Sequence, residues 1–90
     1  MYRPILPDCK PRTIRIMERK EDDKLVLYRG HRLFVMGPHA AEIWQMCNGE
    51  HTIDEMIRLV AGRYDVSKEK ASDEIISFIN RLVDMNLVVL

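Results

Sequence analysis

Two helix signals separated by five residues constrain this chain more than any other feature. Pro38 has the fixed φ and missing N–H that suit a first helical position, and Asn48-Gly49 is a pair that enters left-handed φ and stops a helix. The spacing therefore predicts a helix over about residues 38–47. Thr52 precedes Glu55 by three residues. Its hydroxyl can cap the Glu55 amide while the Glu55 carboxylate reaches back to the Thr52 amide. A second helix is expected from that point, so residues 37–55 form the joint between a β-rich half and a helical half.

Upstream of the joint the patterning is that of strands. Prolines at 4, 7 and 11 keep residues 1–12 extended and remove backbone donors, which reads as an N-terminal arm. Residues 13–90 read as a single domain. Ile14 and Ile16 alternate with Thr13 and Arg15, the period of a half-buried strand over residues 13–18. The charged run 19–24 is expected as a solvated loop, and residues 25–28 (Leu-Val-Leu-Tyr) as the middle strand, turned at Gly30. Arg32, Leu33, Phe34, Val35 and Met36 follow at hairpin distance and are rich in β-forming residues. Three such strands with short connections give an antiparallel meander with Arg32–Met36 at one edge.

Downstream, Ala40, Ile43, Trp44 and Cys47 share one side of the first helix, and Ile53, Met56, Ile57, Val60, Ala61 and Tyr64 one stripe of the second. Ser67 is a cap for a third helix over about residues 68–85, with Val66 as the outer half of a hydrophobic staple. Ala71, Ile75, Phe78, Ile79 and Leu82 form its core stripe. At about 100° per residue Ile76 and Val83 fall on a flank beyond Ile79, with Ser72 nearby. Asn86 can end the helix, and residues 87–90 are a β-like tail. The fold class is α+β: a three-stranded antiparallel meander followed by a three-helix, winged-helix-like unit.

Composition and missing motifs exclude several functions. Ninety residues with 47% hydrophobic content support one modest core. Lys+Arg and Asp+Glu are equal at 14 each, so no whole-chain field draws in nucleic acid or an anionic membrane. No apolar run approaches the roughly 18 residues of a spanning helix, and the start lacks the apolar segment of a signal peptide. A cytoplasmic protein without a membrane partner is expected. Cys9 and Cys47 form no Cys-x-x-Cys pair, and His31, His39 and His51 lack ligand spacing, so no metal and no cofactor is expected. The motifs of phosphate loops, zinc proteases and serine nucleophiles are absent, so no catalytic residue is assigned and the chain is read as a non-enzyme.

Recognition remains. A helix-turn-helix DNA reader is one reading, a transcriptional regulator of winged-helix type, although Arg58, Arg63, Lys68, Lys70 and Arg81 are interspersed with acids and form no basic face. The edge of Arg32–Met36 is another device, able to pair with an extended peptide beside the Ile76/Val83 flank. Equally, residues 87–90 or the arm could cover that edge, and the pattern favours neither arrangement. The same apolar flank could instead join two copies as a homodimer.

From about residue 25 to residue 90 the sequence resembles the PqqD-like family, coenzyme PQQ synthesis protein D and the related peptide-recognition domains of ribosomal-peptide modification systems. The resemblance is carried by Arg32-Leu33-Phe34-Val35-Met36 leading into Gly37-Pro38-His39-Ala40-Ala41-Glu42-Ile43-Trp44, then by Cys47-Asn48-Gly49-Glu50-His51-Thr52-Ile53-Asp54-Glu55-Met56. Tyr64-Asp65-Val66, the segment from Asp73 to Val83 and Asn86-Leu87 complete it. It implies a three-stranded sheet with a three-helix unit and no catalysis. It also implies a partner, the leader of a precursor peptide, held as an added strand and presented to a radical-SAM or other peptide-modifying enzyme. By position, the resemblance assigns peptide binding to the strand Arg32, Leu33, Phe34, Val35 and Met36 and to Ser72, Ile75, Ile76, Ile79 and Val83 of the third helix. The family often has Asn where Gly37 stands and Thr or Ser where His39 stands, so a relative serving a modified peptide other than the PQQ precursor fits the pattern.

Overall fold

The computed structural model describes residues 5–90. In order, the elements are β1 (Arg12–Thr13), β2 (Met17–Glu21), β3 (Lys24–Arg29), β4 (Arg32–Met36), α1 (Pro38–Met46), α2 (Ile53–Tyr64), α3 (Lys68–Asp84) and β5 (Val88–Val89). The chain divides into two compact units, residues 15–45 and the remainder, namely the chain up to Ile14 with Met46–Leu90.

In the unit of residues 15–45, β2, β3 and β4 form an antiparallel sheet in the order β2-β3-β4. Both hairpins have two-residue turns, and Asp22 and Gly30 hold left-handed φ of 57° and 58° at the first turn position. Leu25, Val26 and Leu27 are all buried, which explains why the middle strand is a continuous apolar run and not an alternating one. Pro38 opens α1, whose buried residues are Ile43 and Trp44.

The first strand of this meander departs from expectation. It is Met17–Glu21 and not residues 13–18, and the charged run supplies strand up to Glu21, with only Asp22-Asp23 turning. All five β2 residues are exposed, so no buried face imposes alternation, and the charges Glu18 to Glu21 keep a sheet edge soluble. Residues 14–16 lie between β1 and β2 and form no strand.

In the other unit, β1 pairs with β5 through Arg12↔Val89 and Thr13↔Val88. The tail thus adds a strand to the end of the arm. Of the expected arm, Met1 to Pro4 lie outside the described residues. The rest is not extended throughout as expected: Pro7-Asp8 form a turn, closed by Cys9 N–H donating to the Leu6 carbonyl at 3.1 Å. Alternate carbonyls from Pro7 on are taken up by the helical half: Gly49 N–H donates to Pro11, Ile53 N–H to Cys9 and Asp54 N–H to Pro7, at 3.0, 2.9 and 3.0 Å. Ile53 and Asp54 open α2, where the amides have no partner within the helix. The next amide, Glu55 N–H, donates to Thr52 Oγ1 at 3.1 Å, and the Thr52 amide donates back to Glu55 Oε1 at 2.9 Å, so the capping box is present. The first turn of α2 is fully satisfied, two of its amides by the arm and one by its cap. The α1–α2 connection is tight: Gly49 has φ +80°, and a Cβ there would lie 2.8 Å from Arg12 Nε.

Helix α2 ends at Asp65 in the left-handed region, and Ser67 caps α3 by accepting from Lys70 N–H at 3.1 Å. At its far end Asn86 has φ 59°, Leu87 N–H donates to the Leu82 carbonyl and Asn86 N–H to Val83. Those two bonds are the Schellman closure that an Asn in left-handed φ permits. The buried residues of the helices are Ile53, Met56 and Val60 in α2 and Ala71, Ile75, Ile79 and Leu82 in α3. Phe78, expected in the core stripe, is only half-buried and has the Arg81 guanidinium over its ring, 5.9 Å from the centroid. Ile57 and Ala61 are likewise half-buried and Tyr64 is exposed, because the stripe that reaches the core is narrower than the apolar pattern.

The capping box carries a pH signature. The Thr52 amide, then its hydroxyl, hold the Glu55 carboxyl below the usual carboxylate range. A depressed native pKa means the ionised form is the one the fold favours. Its contribution is present above the ordinary carboxylate pKa and is lost as pH falls through the lower native value. In chemical denaturation, Thr52→Ala should lower stability by about 1 kcal/mol at neutral pH. Glu55→Gln, which keeps the reach-back bond without titrating, should flatten the acid limb of stability against pH; an unchanged limb would assign it to other carboxylates.

Candidate functional site

The phase of the β3–β4 hairpin decides which backbone groups of β4 face away from the sheet. Arg29 and Arg32 close the two-residue loop and are therefore a hydrogen-bonded pair. Alternation makes Leu27↔Phe34 and Leu25↔Met36 hydrogen-bonded pairs as well, so Arg32, Phe34 and Met36 point their amides and carbonyls at β3. Closure of the other hairpin by Glu21↔Lys24 assigns Lys24, Val26 and Tyr28 to β2, and the two phases agree on the shared strand. The N–H and C=O groups of Leu33 and Val35 consequently face outward. Among the described residues no strand pairs with them, since β5 pairs with β1.

The side chains of Leu33 and Val35 are 61% and 63% exposed. Register places Leu33 in one row with Tyr28 and Met17, and Val35 in one row with Val26 and Arg19. Met17, at 71% exposure, belongs to this apolar face. Sequence reading missed Met17 and Tyr28 because cross-strand rows exist only once register is known. On the opposite face Met36 is buried beside Leu25, and Phe34 is half-buried with the Arg32 guanidinium 5.8 Å from its ring centroid.

Helix α3 is positioned by the Ser67 cap and presents two kinds of residue. Of the five sites expected on it, Ile75 and Ile79 are fully buried, whereas Ser72, Ile76 and Val83 are partly exposed. Only the last three can touch a docked chain without unfolding. Ser72 and Ile76 line an open cleft of about 620 Å³ whose wall is apolar at Ile53 and Ile57 and carries the charges of Asp54, Lys68, Glu69 and Asp73. Ile76 continues into a second cleft of about 550 Å³ with Ser77, Asn80 and Arg81. Val83 borders neither.

The chemistry available is that of contact. No polar or charged residue is buried among the described residues, and no group of three or more His, Cys, Asp or Glu side chains is arranged to hold a metal ion. Cys9 and Cys47 are not bridged. Burial pushes the Cys47 thiol up to about 12, which keeps it protonated and poorly nucleophilic near neutral pH. No described helix is long and apolar enough to cross a membrane.

The molecule is thus an α+β protein in which an antiparallel three-stranded sheet is followed by three helices, with one sheet edge guarded by charge and the other, apolar at Leu33 and Val35, paired with no strand among the described residues. The family model of coenzyme PQQ synthesis protein D (PqqD) matches residues 24–88, and the chain belongs to this family. A comparison with curated proteins finds no match. Among solved structures, the chain is similar to the PqqD truncation of Methylobacterium extorquens PqqCD, described as a functional and stand-alone recognition element for ribosomally synthesized and post-translationally modified peptides. The TM-score is 0.79 at 18% identity, over 97% of this chain and 96% of that one, so the likeness is one of fold.

Proposed function

We propose that this chain is a non-catalytic adaptor that captures the leader segment of a ribosomally made precursor peptide and presents it to a modifying enzyme, a radical-SAM enzyme or another peptide-modifying catalyst. Family membership and the description of the Methylobacterium extorquens relative support the class of partner. The observation that carries the reading is the outward-facing backbone of Leu33 and Val35 on an exposed, uncharged stretch of β4. An extended guest chain would satisfy those groups as an added strand, and its alternate side chains would meet Leu33 and Val35. On α3, Ser72, Ile76 and Val83 are the accessible ones among the residues that the family resemblance assigns to peptide binding.

Strand addition on Leu33 and Val35 involves no charged group, so binding should weaken far less with salt than duplex binding, which falls steeply as salt rises. Titration calorimetry with synthetic leader peptides of ribosomally made precursors, that of the PQQ precursor among them, should show saturable one-to-one binding of one of them with a negative heat-capacity change. No heat at any accessible concentration, or binding confined to duplex DNA, would overturn the reading.

A further inference from the structure

The two edges of the sheet are not equivalent. The β2 edge is protected by Glu18, Arg19, Lys20 and Glu21. The β4 edge has one charge, Arg32, at its end, and exposed Leu33 and Val35 at its centre. An edge of that composition is a template for another strand whenever its guest is absent.

We propose that β4 is complementary to itself, so that two guest-free copies join edge to edge, antiparallel and two-fold about Phe34, and that the leader peptide and the second copy compete for this edge. Among antiparallel self-pairings of β4, the two-fold at Phe34 uses every outward group. Leu33 of one copy exchanges both hydrogen bonds with Val35 of the other, and the reverse exchange follows by symmetry. Phe34 then faces its own counterpart as a pair without hydrogen bonds, the kind in which side chains approach most closely.

The side chains agree with this register. Leu33 meets Val35, joining the Met17–Tyr28–Leu33 row of one sheet to the Arg19–Val26–Val35 row of the other. Arg32 stands opposite Met36, so no cation faces a cation, and a chain with 14 residues of each sign has no net charge to oppose association. One five-residue edge per copy lies well below the roughly 1,200 Å² of a stable interface. The pair is therefore weak and reversible, as a reservoir displaced by a guest requires. The self-pairing stands on the β4 geometry alone; the competition rests on the function proposed above.

Sedimentation velocity of the full chain without peptide should show a monomer–dimer equilibrium at high protein concentration. Val35→Pro, which deletes one outward N–H, should remain monomeric over the same range with an unchanged far-UV spectrum. A synthetic peptide of residues 30–37 of this chain should return the wild type to monomer. In a Cys9→Ser background, Phe34→Cys should form a disulfide-linked dimer faster than Leu33→Cys or Val35→Cys alone, whereas a mixture of the last two cross-links to each other. A wild type that stays monomeric, a dimer that survives Val35→Pro, or cross-linking without preference for position 34 would overturn the self-pairing. A synthetic leader peptide that binds should also dissolve the dimer into one-to-one complexes. If that peptide binds and the dimer persists, the competition is wrong; if it binds a chain that never dimerises, the adaptor function stands and only this inference fails.

Discussion

Ile76→Asp should fold and fail to hold the leader peptide, while Ile75→Asp, one residue away, should not fold. Ile75 has no exposed surface, so the substitution removes its packing and places a carboxylate among apolar side chains. Large-to-small changes at such positions cost about 2–5 kcal/mol, and the unpaired charge adds more. A domain of this size has about 5–13 kcal/mol of stability in all, so the loss removes most of it. Ile76 is partly exposed beside the cleft with Ser72, and a carboxylate there remains hydrated, costing about 1 kcal/mol or less. Desolvating that carboxylate under an apolar guest should weaken binding by more than about tenfold. Denaturation midpoints and peptide titration of both variants check this. A folded Ile75→Asp would deny its place in the core, and full affinity in Ile76→Asp would remove α3 from the binding surface.

Proline scanning along β4 should divide the strand by backbone phase. The Val35 amide faces outward, so Val35→Pro removes no bond of the β3–β4 ladder, and proline is tolerated on an edge strand in that position. Phe34 before it is already extended, as a residue preceding proline must be. The variant should keep its circular dichroism yet lose about tenfold or more in affinity for the peptide, because a guest carbonyl is left without its donor. Phe34→Pro strips an inward amide, removing a ladder hydrogen bond and leaving its acceptor on β3 unpaired, and should cost about 1–3 kcal/mol of stability. Equal affinity for wild type and Val35→Pro would mean that the guest does not dock as a strand on β4.

Elements with local signals are legible in the sequence alone. Arg32–Met36 has the bounds that Gly30 and Pro38 impose, and the Thr52/Glu55 box, the Ser67 cap and the Asn86 stop lie where their residue types place them. Each involves groups within about one turn of one another, and residue type alone sets the conformation. The strand Met17–Glu21 was not legible, since its charges resemble a loop unless a partner strand is known. The role of the prolines in the arm was equally hidden. Pro7 and Pro11 suggested missing donors, whereas it is their carbonyls that matter, taken up by the amides of Asp54 and Gly49 some forty residues on in the chain, at 3.0 Å each.

The candidate site divides along the same line. The order and type of the local signals in these 90 residues settled the class of the fold and pointed to Arg32–Met36 as an edge strand of the sheet. Which β4 amides look outward, which partner the tail Val88–Val89 takes, and whether Ile75 or Ile76 meets solvent were settled by the folded chain. Conformational preference is a property of neighbouring residues, but hydrogen-bond phase and burial depend on what a distant segment brings alongside, and no local pattern encodes that distance.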